Sequence, residues 1–441
     1  MKIKTLFPLL ALLVPVLKAE TLVVLSGNSI QEKIDAASDG DIIAIFGGTY
    51  NQNIIVNKKV RLVELAGQDV YITGTVTFTD LEETPPFQGF KVAGINIRGT
   101  KGLVIKDVDC EGALTLWGNG VPDVSVVGGS QGSVTQKAGS LVTNSTTTDS
   151  FTVESGADKT IAFRTTIKGT CNWSGNEAKG WFGYGEAKRI NLAGDSSKYV
   201  LIGNRVVTEG NTAISLGGNS SDYSIINNVL TGVFQFSNSV PPQHSVIYAN
   251  FSDGNLSIQN NYLSLRARNQ SYEYFPIYLE DSPAKSDISG NLISFGYDSG
   301  GGYDHRIVIR APFGVTATHN HLILPRPRTT NVSKAFGRGG VTVTDTTYED
   351  SAKLADYILN DDPFQIIENG FLKNQGDTNP QKNDRDGSRN DIGPLGGSRY
   401  DPEGWTTENP VVISFDLSPD QVLEGVNDEV EISEIQAISA P

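Results

Sequence analysis

Three short segments of the chain place aromatic and charged residues at matching positions, 30 residues apart. In β-strands alternate side chains face the same side, so an isoleucine of each segment would point inward and its polar neighbours outward. Tyrosine rings offer apolar faces to sugars, while amide, carboxylate and guanidinium groups add hydrogen bonds and charge. We therefore predict a binding track for an extended carbohydrate, with Tyr248, Asn250 and Glu280 as contacts. The segments are Ile247-Tyr248-Ala249-Asn250, Ile277-Tyr278-Leu279-Glu280 and Ile307-Val308-Ile309-Arg310.

The same face offers groups for acid–base chemistry. Cleavage of a uronate polymer by β-elimination needs a base that takes the C5 proton and a cation that neutralises the carboxylate. Arg310 is the candidate cation, and Lys285 or Tyr278 is the candidate base. Three further candidate substrate contacts stand in or beside the adjoining turns: Arg266, Arg268 and His305.

Other roles for these residues stay open at this point. Glu280 and Arg310 on adjacent strands could form a surface ion pair worth roughly 0–1 kcal/mol, with the tyrosines only widening a sheet. Glycoside hydrolysis is the other enzymatic option. It needs a second carboxyl group close by, whereas the predicted neighbours of Glu280 are Asn250 and Arg310.

Near the C-terminus, four residues with side-chain oxygens crowd into one short segment. Calcium is the one cofactor that this segment suggests, because carboxylate and amide oxygens are its preferred ligands. The spacing excludes an EF-hand, and a tight turn is the alternative explanation. The candidate metal ligands are Asp384, Asp386, Asn390 and Asp391.

A repeating strand pattern has to position the predicted track. Five segments that begin with isoleucine are spaced by 24, 33, 30 and 30 residues, and an asparagine follows each isoleucine at an offset of 14, 14, 14, 14 and 13. A nearly constant offset within repeats of varying length is typical of a β-solenoid, because the loops absorb the insertions. The isoleucines should then stack inward, while the asparagines lie at a bend, where they tolerate left-handed backbone and can form an amide ladder. The two series are Ile190, Ile214, Ile247, Ile277 and Ile307, and Asn204, Asn228, Asn261, Asn291 and Asn320.

Composition agrees with a strand-and-turn protein and excludes several classes. The chain has 441 residues, of which 47 are glycine and only 19% are charged, so an all-helical fold is disfavoured. A net charge of −15 makes nucleic acid a poor partner. Residues 1–19 have the pattern of a signal peptide, so we expect an exported protein, either secreted, periplasmic or on the cell surface. No later apolar run approaches the roughly 18 residues of a membrane span, so we expect no such span. We also expect a monomer. Cys110 and Cys171 could pair, or could be two buried small apolar residues.

Three segments carry a resemblance to known families. The stretch SIQEKIDAASDGDIIAIFGGTY from Ser29 predicts a short helix and then a strand, and with NQNIIVNKKVRLVEL it resembles the N-terminal cap and first coils of secreted parallel β-helix proteins of the pectate-lyase-like superfamily. Arg310 is similar to the arginine that follows a core strand in the alginate-lyase and chondroitinase-B group, in which a lysine takes the position of Glu280. The segment NDRDGSRNDIGPLGG at 383–397 resembles the terminal sequence of exported β-helix proteins.

The resemblance implies an all-β, right-handed parallel β-helix over residues 20–325, with an N-terminal capping helix. An irregular C-terminal capping module over 326–400 and an acidic tail or short strand pair over 401–441 would follow it. The expected function is that of an exported, carbohydrate-active protein that binds an extracellular polysaccharide and, by its similarity to the lyases, cleaves it. The alternative is a non-catalytic surface or matrix protein, either an adhesin or a structural spacer.

Overall fold

Parallel β-strands make up most of the chain. A computed structural model describes residues 19–65, 69–118, 122–234, 244–267, 274–281, 283–297, 308–324, 337–350, 372–399, 411–418 and 431–438. In these ranges 31 strands join in one hydrogen-bonded system, beside a three-stranded parallel sheet and a two-stranded antiparallel sheet. Away from the ends of this system, a strand pairs with its equivalents one turn earlier and one turn later, which is consistent with a solenoid-like parallel β-helix.

The strands of the large system stack in three columns. Column 1 contains Ile54–Val56, Phe151–Val153, Ile214–Gly217, Ser245–Asn250 and Phe275–Leu279. Column 2 contains Phe87–Gln88, Leu103–Lys106, Asp123–Val127, Gly139–Asn144, Ala157–Phe163, Lys179–Gly183, Lys198–Ile202, Asp222–Ile226, Asn255–Gln259 and Lys285–Ser289. Column 3 contains Gly48–Tyr50, Thr147–Thr148, Arg205–Glu209, Val229–Phe234, Tyr262–Ala267, Leu292–Tyr297, His321–Leu324 and Thr347–Asp350.

Longer strands run from one column into the next without a break. Those that join column 3 to column 1 are Val70–Thr79, Lys91–Arg98, Asp109–Trp117, Ser130–Gln136, Thr166–Trp173 and Glu186–Leu192. Those that join column 1 to column 2 are Ile309–Thr318 and Gly337–Thr344. The three-stranded sheet consists of Thr21–Val24, Ile42–Ile45 and Arg61–Glu64, and the antiparallel pair of Val411–Ser418 and Glu431–Ile438.

The predicted isoleucine stack is confirmed over four coils of column 1. Ile190 pairs with Ile214, Ile214 with Ile247, and Ile247 with Ile277, and all four side chains are buried. The fifth member is different, because Ile277 pairs with Ile309 and not with Ile307, which lies outside the described residues. A shift of two residues leaves every side chain on its own face, so alternation alone could not choose between the two registers.

The asparagine ladder is confirmed in full. The Oδ1 atom of each later asparagine accepts both the backbone N–H and the side-chain amide N–H of the asparagine one coil earlier, at 2.9–3.0 Å. The left-handed backbone, however, belongs to the residue just before each ladder asparagine, with φ between 51° and 67°. Asparagine is therefore required at these positions for its amide group, and the backbone bend is made by its neighbour. The bend residues are Gly203, Asn227, Asn260, Gly290 and His319.

The N-terminal segment forms the predicted helix, Ile30–Ala36. The Ser29 side chain accepts the backbone N–H of Glu32, as expected of a residue that begins a helix. Ile30 and Ile34 are buried on the face that packs against the neighbouring strands. Cys110 and Cys171 are both free and buried, so the alternative without a disulfide is confirmed.

The parallel pairing continues beyond residue 325, where the repeat was expected to end. Gly337–Thr344 pairs with Ile309–Thr318, and Thr347–Asp350 pairs with His321–Leu324. These coils lack the Ile and Asn spacing of the earlier ones, and for this reason the sequence pattern fades before the structure does.

Residues 372–399 lie against the outside of columns 2 and 3. The Lys382 ammonium group lies 2.6 Å from the Asp287 carboxylate and 2.9 Å from the Asp377 carboxylate, and Asn260 donates to Asn390 at 2.8 Å.

Further along the chain, the acidic segment forms the antiparallel pair, one of its two expected forms. Within the described ranges, the single α-helix is far too short to cross a membrane.

Removal of one ladder amide should destabilise the whole solenoid. Asn261→Ala removes the acceptor of the buried backbone N–H of Asn228, one of three acceptors of the Asn228 side-chain amide, and the amide that donates to the Ile225 carbonyl. We expect a loss of roughly 2–4 kcal/mol in the free energy of unfolding. Urea denaturation followed by circular dichroism measures it. The exposed Asn250→Ala is the matched control, and equal effects of the two variants would contradict a special role of the ladder.

Candidate functional site

Two tyrosines on adjacent coils form the centre of the predicted track. Tyr248 and Tyr278 are directly in register, with ring centroids 5.7 Å apart and an angle of 37° between the ring planes. Their inward neighbours Ile247 and Ile277 are fully buried, so strand alternation holds both rings on the outer face. The two rings are partly exposed and together form a small apolar platform.

Arg310 lies on the next coil, on the same face. It pairs with Tyr278, and its guanidinium carbon is 5.0 Å from the Tyr278 ring centroid and 5.5 Å from that of Phe275. Phe275 also stacks against Tyr278 at 5.6 Å. The expected register, with Arg310 beside Glu280, is wrong, because the two-residue shift places Arg310 beside Tyr278. The sequence did not predict Phe275 as part of the site, because alternation assigns its side chain to the interior. The one indication in the sequence was a further aromatic residue two positions before Ile277.

Tyr248 and Glu280 are joined by a hydrogen bond in which the phenol O–H donates to the carboxylate Oε2 atom. Burial, and then the charge and hydrogen bond of Glu280, raise the pKa of Tyr248 to about 12. At neutral pH the phenol is therefore a donor and not a base. Glu280 and Asn250 are exposed at the edge of the same face, so their oxygen and nitrogen atoms are accessible to a ligand.

Two of the other predicted contacts lie on columns other than column 1. Lys285 is exposed on column 2, in register with Asn255. Arg266 is exposed on column 3, in register with Val233. Arg268 and His305 lie outside the described residues. Residues that follow a strand closely in sequence belong to the next column of the coil, which is why proximity in sequence was misleading here.

The candidate calcium ligands are engaged in turn hydrogen bonds. Asp386 Oδ1 accepts the backbone N–H of Ser388 at 2.9 Å, and Asp391 Oδ1 accepts that of Asn374 at 2.6 Å. Asp384 Oδ1 accepts the Gly397 N–H, and Asn390 is buried against the solenoid. The segment is thus a tight turn. In the described part of the chain, no three His, Cys, Asp or Glu side chains are grouped to hold a metal ion.

A second feature was missed by the sequence analysis. An open groove of about 970 Å³ lies at the bend from column 3 to column 1, lined by basic residues of three successive coils. The available signal was the repeat of lysine in Thr166-Ile167-Lys168-Gly169 and Glu186-Ala187-Lys188-Arg189. These segments are 20 residues apart and are paired in the structure.

The geometry defines an all-β parallel solenoid with an aromatic and charged patch on one outer face. Comparison with family models, with curated proteins and with solved structures gave no match for this chain.

The Tyr248 hydroxyl should make stability sensitive to alkaline pH. A pKa raised from 10 to about 12 means that folding favours the neutral phenol, so this stabilisation is complete below pH 10 and is lost as the pH rises through 12. We expect Tyr248→Phe to flatten the decline in unfolding midpoint between these values, and to remove one phenolate that appears late in an ultraviolet titration. Glu280→Gln should shift that titration only part of the way, since burial remains. A Tyr248 titration centred on pH 10 would contradict the assignment.

Proposed function

We propose that the protein is an exported, right-handed parallel β-helix of the pectate-lyase-like type that binds an extracellular polysaccharide along the outer face of column 1. The observation that carries this proposal is the grouping of Tyr248, Tyr278, Glu280 and Arg310 on three coils. Paired rings suit stacking on sugars, and the flanking carboxylate and guanidinium groups suit hydrogen bonds to hydroxyl or acidic substituents.

The length of the polar face favours a polymer over a small ligand. One outward line on column 1 runs through Asn172, Asn191, Ser215 and Tyr248 to Tyr278, one residue per coil. Coils are about 4.8 Å apart, so these five positions span roughly 19 Å. A chain of several sugar units could contact the whole line, whereas a single sugar would use only part of it.

Loss of the platform should weaken polysaccharide binding. For Tyr248→Ala and for Tyr278→Ala we expect about tenfold weaker binding to the best ligand in a panel of alginate, pectate, chondroitin and fucoidan. Affinity electrophoresis and calorimetry measure it. Tyr71→Ala is the matched control, because Tyr71 also donates to a carboxylate, that of Glu111, and has a lysine ammonium 4.9 Å from its ring, but lies outside column 1. Equal losses at Tyr71 and Tyr248 would contradict the proposed face.

One observation favours cleavage as a second function of the same face. Two of the three candidate catalytic residues, Arg310 and Tyr278, are in direct contact. In β-elimination the base would take the C5 proton of a uronate, the C4–C5 double bond would form, and the C4–O bond would break, with a proton from water going to the departing oxygen. Arg310 would neutralise the carboxylate, and Tyr278 would be the base. Lys285 is the weaker candidate, because it lies on column 2.

Product analysis tests the lyase function. We expect ultraviolet absorbance from unsaturated products on a uronate polymer, and its loss in Arg310→Ala and Tyr278→Phe. Lys285→Ala should keep the activity. Arg310→Ala should lower stability by only about 1 kcal/mol, the scale of a cation–π contact. Glycan binding without unsaturated products or new reducing ends would instead support the non-catalytic alternative, a surface or matrix protein.

A further inference from the structure

The basic groove at the bend between columns 3 and 1 has an unusual balance of charge for this protein. Its ionisable lining contains four cationic and two acidic side chains, in a chain with a net charge of −15. The strands Thr166–Trp173 and Glu186–Leu192 pass through it unbroken, while the next coil is interrupted between Arg205–Glu209 and Ile214–Gly217. The lining residues with charge are Lys168, Lys188, Arg189, Arg205, Glu186 and Glu209.

The cations of the groove differ in how they are neutralised. Lys168 lies 3.3 Å from Asp149, and Arg205 lies 3.6 Å from Glu186, both in partly exposed pairs of little strength. Lys188 and Arg189 form no ion pair within the described ranges. The buried Nε atom of Arg189 also has no hydrogen-bond partner there, and burial lowers the pKa of its guanidinium group. A bound anion would offset this cost.

The groove continues into the polar line of column 1. Arg189 stands two residues before Asn191, so both side chains lie on the outer face of one strand. The Asn191 amide donates to Asn172 at 2.6 Å, while its buried Oδ1 atom has no partner among the described residues. From Asn191 the line passes through Ser215 to Tyr248, two coils or roughly 10 Å away.

We propose that this groove binds the anionic group, a carboxylate or a sulfate, of an acidic polysaccharide whose neighbouring units lie on the column 1 face. Lys188 and Arg189 supply the charge and the hydrogen bonds, and Arg189 can bind either oxyanion in a bidentate manner. This inference rests on the proposed function, to which it adds the substrate class. It places an anion-binding subsite two coils before the tyrosine platform.

Calorimetry with oligosaccharides of matched length tests the subsite. The probes are tetragalacturonate, sulfated isomaltotetraose and neutral isomaltotetraose, each measured at low and high salt. In the Lys188→Ala/Arg189→Gln variant we expect about tenfold or greater weakening for at least one anionic probe, a smaller salt dependence, and unchanged weak binding of the neutral probe. The probe that loses affinity identifies the anion as carboxylate or sulfate.

The matched control is Lys179→Ala/Lys198→Ala, which removes two exposed lysines that are in register on adjacent coils of column 2. An equal loss in this control would overturn the proposal, as would unchanged binding in the groove variant or no binding of either anionic probe to the unmodified protein. Tyr248→Ala separates the two proposals. A loss in the groove variant alone would support the subsite and contradict the platform, and a loss in Tyr248→Ala alone would do the reverse.

Discussion

The asparagine ladder is the interaction on which the alignment of the later coils depends. Each buried amide from Asn204 to Asn291 finds its acceptor only if the next coil is in one register, since Oδ1 has to meet both the backbone and side-chain N–H groups at 2.9–3.0 Å. An unpaired amide in this interior would cost about 1–3 kcal/mol, so slippage of one coil is penalised at once. A fixed register at the bend also aligns the outer faces, and it is this alignment that brings Tyr248 beside Tyr278.

Spacing in the sequence predicted this part of the fold because identical residues recur where identical contacts are made. The region 129–158 is different, because a composition rich in Gly, Ser and Thr is typical of loops or polar coil edges, whereas the structure contains strands there. Buried polar groups explain the difference. The Gln136 amide donates to the Gly139 and Lys159 carbonyls at 2.6 and 3.0 Å and accepts from Thr160 at 2.7 Å. Composition does not show that an interior glutamine has all its partners, so this part of the core could not be recognised.

The sequence predicted which residues of the candidate site lie on the outer face, but not the register of its last strand. Alternation along a strand correctly assigned Tyr248, Tyr278 and Arg310 to the outer face, because a register shift of two residues does not change the face on which a side chain lies. It could not decide whether Arg310 lies beside Glu280 or Tyr278. That choice changes the predicted contact of Arg310 from an ion pair with Glu280 to a guanidinium group over the Tyr278 ring, while Glu280 accepts a hydrogen bond from Tyr248.

Electrostatics restricts where an acidic polymer could lie on this protein. With a net charge of −15 the surface as a whole repels polyanions, and screening limits each local charge to a range of about 8–10 Å at physiological salt. Attraction therefore has to come from cations that are close to the polymer. Lys188 and Arg189 lie on one side of Tyr248 and Arg310 on the other, two coils away in each case. An acidic chain that follows the column 1 face would meet a cation at each end of the aromatic platform, and a neutral chain would have no electrostatic reason to prefer this face.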